Sequence, residues 1–226
     1  MFLILARHGR TTANAAGILA GRAEGIGLDA IGQDQAKVAG DRLADLTIAR
    51  VVSSPMQRCR ETAELLVPSR SIDLDHRLTE CDYGEWTGHT LAELADEPLW
   101  RTVQRQPSAA AFPGGESMTA MSHRAVDAAR SLSREVAATH GENAVWLAVS
   151  HGDVIKAILA DALGMHLDAF QRIGVNPASL SLIHYGKHRA SVLAMNTVAG
   201  ALPIPEQVSE DAPVGGASEA TLGSQA

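Results

Sequence analysis

The chain has 226 residues, of which 46% are hydrophobic, and a formal net charge of −7 at pH 7. That length and apolar content suffice for one sizeable core. The acidic balance argues against a nucleic-acid partner, which would call for a basic face. No apolar run is long enough for a signal peptide or a membrane span, so we expect a cytoplasmic protein without a membrane partner. The only two cysteines, Cys59 and Cys81, have no metal or redox spacing.

The first predicted element is a buried strand. Residues 2–6 form a continuous apolar run, which is typical of a strand covered on both faces of a parallel sheet, and the run ends in Arg7 and His8. A glycine-rich loop follows. Residues 31–46 then show the apolar period of a helix, with Val38 predicted on the buried face.

The next strand, predicted at residues 50–53, leads into a candidate anion site. Ser54 and Pro55 suit the N-cap and the first position of a helix. Arg58 then falls in the first turn of that helix. Unpaired amide groups at a helix start already favour an anion, so the sequence predicts anion binding near Arg58.

The rest of the chain continues to alternate strands and helices. An excursion over the sheet edge, close to the active site, is predicted at about residues 87–113. The predicted strands and helices are 72–74, 117–140, 144–149, 153–163, 179–185 and 190–194, the last two as an edge hairpin. This alternation predicts an α/β fold, a three-layer α/β/α sandwich with a mostly parallel central sheet. A domain of residues 1–200 is expected, followed by an acidic, disordered tail at 201–226.

Two histidines leave separate buried strands. His8 follows the first strand, and His151 follows the apolar run at 144–149. Ligands of open α/β sheets bind outside the carboxyl ends of the strands. We therefore expect the two imidazoles to meet on one ligand.

Several motifs together carry a resemblance to a known family. They are Arg7-His8-Gly9 with Asn14, Ser53-Ser54-Pro55-Met56-Gln57-Arg58 with Glu61-Thr62-Ala63, Leu78-Thr79-Glu80 with Tyr83-Gly84-Glu85-Trp86-Thr87-Gly88, Pro113-Gly114-Gly115-Glu116-Ser117, and Ser150-His151-Gly152. In this order they resemble the histidine phosphatase superfamily, also called the phosphoglycerate mutase-like family. The resemblance implies that fold and a phosphohistidine intermediate on His8. The other residues it implies are Arg7, Arg58 and His151 in the phosphate pocket and Glu80 as the proton donor.

Elementary chemistry agrees with these roles. A phosphoryl group in transfer carries charge on three oxygens, so its site needs several fixed cations around one centre. Arg7 and Arg58 offer forked donors that keep their charge, and His151 can add a third donor. His8 has to attack as a neutral imidazole, and the arginines lower its proton affinity. The two histidines are therefore predicted to differ in protonation, and neither a metal nor another cofactor is required.

Further residues are candidates for contacts with the substrate. The predicted substrate-binding residues are Arg10, Thr11, Asn14, Gly21 and Arg22. Among them Arg10 stands where the family often carries Glu or Gln, and it adds positive charge near the pocket mouth. Tyr83 and Trp86 are interpreted as core or cleft wall and not as a substrate stack.

Three functions remain open. The first is a metal-independent phosphomonoesterase of the histidine acid phosphatase type, acting on a small phosphorylated sugar, sugar acid or nucleotide-like metabolite. The second is a cofactor-dependent phosphoglycerate mutase, for which the excursion offers only Arg101 and Arg105, and these better fit a solvated face. The third is a non-catalytic phosphate-binding scaffold. The expected partner is a small-molecule phosphate ester, and a homodimer is left open.

Overall fold

A computed structural model describes residues 1–204 of the chain. The strands are β1 (Phe2–Arg7), β2 (Ile48–Ser53), β3 (Asp73–Leu74), β4 (Val145–Ser150), β5 (Leu180–Tyr185) and β6 (Ala190–Thr197). Within residues 1–204 these six strands form one sheet in the order β3-β2-β4-β1-β5-β6. The first four strands are parallel, whereas β5 and β6 form an antiparallel hairpin at one edge. The predicted mostly parallel sheet and edge hairpin are confirmed.

Helices cover both faces of the sheet. They are α1 (Thr12–Ala15), α2 (Ala30–Asp41), α3 (Gln57–Leu66), α4 (Leu91–Leu94), α5 (Pro98–Arg105), α6 (Met118–His140) and α7 (Gly152–Ala162). Short 3-10 turns lie at His76–Leu78, Gly84–Trp86, Pro107–Ala109 and Leu167–Arg172. Helices α6 and α7 contribute to one hydrophobic cluster, and α2 and α3 contribute to the other. The fold is therefore a three-layer α/β/α sandwich.

The central strand β1 explains why its sequence is apolar throughout. Leu3 and Leu5 pack into the cluster of α6 and α7, while Phe2, Ile4 and Ala6 pack into the cluster of α2 and α3. Successive side chains of a strand point to opposite faces, so a strand covered on both sides has to be apolar at every position. Each large side chain buried in this way contributes about 1.5–3 kcal/mol. The end of β1 is thereby a firm support for Arg7 and His8.

Helix α2 differs from its prediction. It ends at Asp41 instead of residue 46, and Val38 is 57% exposed. The buried positions of the helix are Gly32, Ala36 and Ala39, whose spacing of four and three turns Val38 toward solvent. The other predicted strands and helices are confirmed, with ends shifted by at most three residues.

The end of the described chain packs on the body. Leu202 is buried and Ile204 lies against the cluster of α2 and α3. The remainder of the predicted tail, from residue 205 onward, lies outside the described residues. Over residues 1–204, no helix combines the length and apolar character that crossing a membrane requires.

Candidate active site

A cavity of about 530 Å³ lies at the carboxyl ends of β1 and β4. Arg7, His8, Arg58 and Glu80 line it, and the fully buried His151 lies beside them, with its ring centroid 5.3 Å from that of His8. We call these five residues the floor. The two strands therefore bring both histidines to one place, as the sequence predicts.

His8 is held as a neutral imidazole. It is 3% exposed, and its Nδ1 lies 2.8 Å from the carbonyl oxygen of Gly9. A carbonyl only accepts, so Nδ1 carries the proton and Nε2 keeps its lone pair. Burial lowers the pKa of His8 well below its ordinary value, and the charges of Arg58 and Arg7 lower it further. The arginines act as predicted, but burial is the larger cause.

The backbone behind His8 is packed against helix α2. An ideal Cβ at Gly9 would lie 2.4 Å from the carbonyl oxygen of Gly32, and one at Gly32 would lie 2.0 Å from that of Arg10. The amide of Gly9 donates to Thr62 Oγ1 at 3.0 Å. Only two glycines allow the chains to approach so closely, and this approach fixes the carbonyl that accepts from His8.

The two arginines of the floor have donors to spare. Arg7 Nη1 donates to the carbonyl of Val175 at 2.6 Å, and Arg58 Nη2 donates to that of Gly21 at 2.8 Å. Arg7 Nε and both Nε and Nη1 of Arg58 are buried without a partner in the described chain. Unpaired buried donors are costly and therefore uncommon. Three of them beside His8 make this a place for an anion.

His151 is fully buried and bonded at both ring nitrogens. Its Nδ1 lies 3.1 Å from Arg58 Nη2, which can only donate, so Nδ1 accepts. Nε2 then carries the proton and donates to Ser54 Oγ at 2.8 Å. Burial lowers the pKa of His151 well below its ordinary value, and Arg58 lowers it next. Both histidines are neutral without a ligand, so the prediction that they differ in protonation is wrong for the free site.

Ser54 has a different role from the predicted one. Helix α3 begins at Gln57, with Met56 as its N-cap and no side-chain capping bond. Ser54 is buried and orients His151 instead. The prediction of a helix opening at Ser54 and Pro55 is wrong because this serine is used by the site. Its place beside Arg58 in one motif was the signal that pointed to the site.

Glu80 is the carboxyl group of the floor. Its Oε1 accepts from the amide of Cys81 at 2.9 Å, and its Oε2 lies 4.0 Å from His151 Nδ1. Burial raises the pKa of Glu80 to about 7, the negative charge of Asp153 raises it next, and Arg58 opposes the rise. Glu80 is therefore able both to give and to take a proton near neutral pH.

Asp153 was not predicted as a site residue, although it follows His151-Gly152 directly. It lies in the first turn of α7 and lines the cavity. Its carboxylate accepts from Tyr83 Oη at 2.9 Å and pairs with Lys156 Nζ at 3.2 Å. Lys156 also donates to Gln171 Oε1 at 3.0 Å, so its charge is already engaged.

Arg22 supports Glu80 from behind and does not line the cavity, contrary to the prediction that it binds substrate. Its Nε donates to the carbonyl of Glu80 at 2.9 Å, and its Nη2 pairs with Glu116 at 2.9 Å. Arg124 donates to the same Glu80 carbonyl at 3.0 Å and to Glu116 at 3.1 Å. Glu116 belongs to one of the motifs that carry the family resemblance, whereas nothing in the sequence indicated a role for Arg124.

Of the remaining residues predicted to bind substrate, three line the cavity and one does not. Arg10 does not line the cavity, because its Nε pairs with Asp29 at 2.8 Å. Thr11 and Asn14 do line it, and they hold each other in a capping box at the start of α1. Gly21 lines it as well, in a left-handed conformation with φ of 49°, and an ideal Cβ there would lie 2.7 Å from Thr87 Oγ1.

Aromatic rings line another part of the cavity, which we call the outer cavity. Tyr83, Trp86, Trp100 and Phe112 all line it, and we call them the aromatic wall. Phe112 contacts the ring of Tyr83 at a centroid distance of 5.0 Å and that of Trp86 at 5.2 Å, and Trp86 stacks on Trp100 at 6.1 Å. Trp100 and Phe112 belong to the segment predicted as an excursion over the site.

Comparison with known proteins agrees with this geometry. The model of the histidine phosphatase superfamily, branch 1, matches residues 3–198. A protein of Erwinia tasmaniensis named "Probable phosphoglycerate mutase GpmB" is 34% identical over 80% of this chain and 83% of its own length. Phosphoserine phosphatase 1 of Hydrogenobacter thermophilus is 29% identical over 86% of this chain and 91% of its own. The crystal structure of the alpha-ribazole phosphatase from Shigella flexneri aligns with a TM-score of 0.76 and 27% identity, over 88% of this chain and 98% of that one. The chain belongs to the histidine phosphatase superfamily.

Proposed function

We propose that this chain is a metal-independent phosphomonoesterase of the histidine acid phosphatase type. It hydrolyses a small phosphorylated metabolite through a phosphohistidine on His8. The observation that carries the proposal is the set of three buried, unpaired guanidinium nitrogens of Arg7 and Arg58 around a neutral imidazole. Such an arrangement supplies fixed positive charge where a transferring phosphoryl group develops negative charge.

In the first step His8 Nε2 attacks the phosphorus, and the bond between phosphorus and the leaving oxygen breaks. Nδ1 keeps its proton and donates it in a hydrogen bond to the carbonyl oxygen of Gly9, so Nε2 has the free lone pair that attacks. Glu80, whose pKa is about 7, gives its proton to the leaving oxygen, so the alcohol departs neutral.

In the second step water attacks the phosphorus of the phosphohistidine. The Glu80 carboxylate takes a proton from this water, the bond between phosphorus and nitrogen breaks, and inorganic phosphate leaves. The positive charge of Arg58 lowers the pKa of His151 in the free site. The negative charge of a bound phosphate offsets this positive charge and so raises that pKa. His151 is then able to accept a proton at Nδ1 once the phosphate draws Arg58 Nη2 away from that nitrogen.

Phosphoglycerate mutase activity is the second candidate, and the relative from Erwinia tasmaniensis is the observation in its favour. A mutase has to hold a carboxylate-bearing substrate and return the phosphoryl group to it instead of to water. Arg101 and Arg105 of α5 are exposed and do not line the cavity. Lys156 does line it but is paired with Asp153. These contacts support hydrolysis over transfer to a second substrate.

The direct test is phosphate release by the purified full chain, with p-nitrophenyl phosphate as substrate and EDTA present. We expect turnover, and we expect His8→Ala to lower kcat by about 10⁵-fold or more, as with other enzyme nucleophiles. Rapid quenching at alkaline pH should trap an acid-labile phosphoryl group on the wild-type chain and none on the variant. Interconversion of phosphoglycerates that depends on bisphosphoglycerate and outruns phosphate release would identify a mutase. Phosphate binding without turnover would identify a scaffold.

A further inference from the structure

The aromatic wall concentrates a residue type that the chain otherwise uses sparingly. Phe, Tyr and Trp make up 4% of the sequence, with three Phe, two Tyr and three Trp. Half of these eight side chains line one cavity. Two of them, Trp86 and Phe112, keep only 6% and 4% of their surface exposed, so what remains faces the cavity that they line.

Aliphatic side chains complete this apolar surface. Those that line the cavity are Ile18, Leu19, Leu91, Val103, Ile173 and Val175. A cavity of about 530 Å³ lies within the range that buries most of a drug-sized ligand, and phosphate alone would fill only its floor. The substrate therefore has an organic part that occupies the outer cavity, and burial of apolar surface is what this part gains.

Helix α5 decides what kind of side chain meets that organic part. Trp100, Val103 and Gln104 line the cavity, as the three- and four-residue spacing of one helix face requires. Arg101 and Arg105 are exposed on the other side. The helix turns an indole, an isopropyl group and the neutral amide of Gln104 to the cavity and turns its cations away from it.

The charges of the outer cavity do not suit a second anionic group. Among the cavity residues of the described chain, Lys156 is the one cation outside the floor, and it is bonded to Asp153 and Gln171. The carboxylate of Asp153 would repel a substrate carboxylate nearby. An anion here would meet a cation whose charge Asp153 already offsets, so its burial would be poorly compensated.

We propose, on the basis of the proposed function, that the physiological substrate is the phosphate monoester of an apolar alcohol with an aromatic or similarly flat group. The phosphate lies on Arg7 and Arg58, and the ring lies against Trp86, Trp100 and Phe112. Esters of small acids, such as phosphoglycerate or phosphoserine, and of sugars are poorer substrates. This substrate class differs from the sugars and sugar acids that the sequence analysis named as candidates.

The test compares esters whose leaving alcohols have similar acidity, so that chemistry does not hide binding. We expect kcat/KM for 2-phenylethyl phosphate to exceed that for ethyl phosphate by about 10- to 100-fold, the gain expected from burying one ring. Glucose 6-phosphate, 3-phosphoglycerate and phosphoserine should lie near or below ethyl phosphate. If any of these three is the best substrate, the inference is wrong.

Two variants of one helix connect the preference to the wall. Trp100→Ala should lower the ratio of the two kcat/KM values, phenylethyl over ethyl, by about fivefold or more, and Trp100→Phe should keep most of it. Arg101→Ala, the exposed neighbour, should leave the ratio and the activity unchanged. A ratio that survives Trp100→Ala in a protein of unchanged melting temperature contradicts the role of the wall.

The two proposals fail in different ways. Hydrolysis of every ester at similar kcat/KM overturns the inference about the alcohol and leaves the phosphatase standing. Absence of hydrolysis for all esters, including p-nitrophenyl phosphate, overturns both.

Discussion

The floor and the aromatic wall of the cavity are built in different ways. Four side chains of the floor leave the ends of β1 and β4 or the first turn of α3, and the fifth, Glu80, follows the 3-10 turn at His76–Leu78. Each is bonded to a backbone or side-chain atom of the protein. The wall comes from short helices and 3-10 turns between β3 and α6, and its members are held by ring contacts. In the proposed mechanism, attack by His8 takes place at the strand ends, while the alcohol is selected by a segment between β3 and α6 that also carries Glu80.

The largest effect should come from the floor and should not depend on the alcohol. Arg58→Gln removes the two unpaired donors, Nε and Nη1, that lie buried beside His8. We expect kcat to fall by about 10²- to 10³-fold for every ester, the usual cost of losing preorganised charge stabilisation. Arg60→Gln, exposed on the same helix, is the matched control and should retain full activity. A loss confined to aromatic esters would assign Arg58 to the wall.

A pH profile separates the proton donor from the rest of the floor. Protonated Glu80 is the acid of the proposed first step, so we expect kcat/KM for esters of poor leaving groups to fall as pH rises through about 7. Asp153→Asn removes a negative charge that raises the pKa of Glu80, and this falling limb should move to lower pH. Asp161 lies on the same helix but pairs with Arg130. Asp161→Asn should therefore leave the pH of the falling limb unchanged. If the pH of the falling limb is the same in the wild type and in both variants, a group other than Glu80 causes it.

The smallest effects should come from residues behind the floor. Arg22→Gln removes a donor to the carbonyl of Glu80 and a partner of Glu116, so the acid is held less firmly. We expect kcat to fall by about 3- to 10-fold, the size of one lost hydrogen bond. The loss should grow as the leaving group becomes poorer, which a general loss of stability would not produce.

Arg10→Gln is the control for Arg22, since both arginines were predicted to bind substrate. Arg10 pairs with Asp29 in a partly exposed ion pair and does not line the cavity. Such pairs contribute about 1 kcal/mol or less, and we expect kcat/KM to change by less than about twofold. A larger fall in kcat/KM that is confined to anionic esters would show that Arg10 contacts the substrate after all.

The floor could be predicted because its signals are local. A buried strand followed by Arg7-His8-Gly9, and a second followed by Ser150-His151-Gly152, imply two imidazoles at one sheet edge whatever the rest of the chain does. The family resemblance is confirmed by the match over residues 3–198. The protonation of His151 was misjudged, because it depends on which atoms face its two ring nitrogens, and those belong to Ser54 and Arg58.

The wall could be predicted only in part, because the position of Trp100 has no local signal in the sequence. Tyr83 and Trp86 were interpreted as core or cleft wall, and the structure shows that they line the cavity as well. Trp100 faces the cavity only because of how α5 is rotated, and a weakly periodic helix of eight residues does not reveal its rotation in sequence. Arg124 donates to the backbone carbonyl of Glu80, 44 residues away in the chain. No sequence pattern indicates such a contact.

The contact between Gly9 and Gly32 has a consequence for helix α2. None of the described residues that line the cavity belongs to this helix. Its first turn nevertheless packs against the peptide whose oxygen accepts the hydrogen bond from His8. A methyl group at either position would push that peptide aside and free the ring to exchange tautomers, which would place hydrogen on the attacking nitrogen. In the proposed mechanism the reactivity of His8 therefore depends on a helix that contributes nothing to the cavity lining, and substitution at the start of that helix is as restricted as substitution among the residues proposed to bind phosphate.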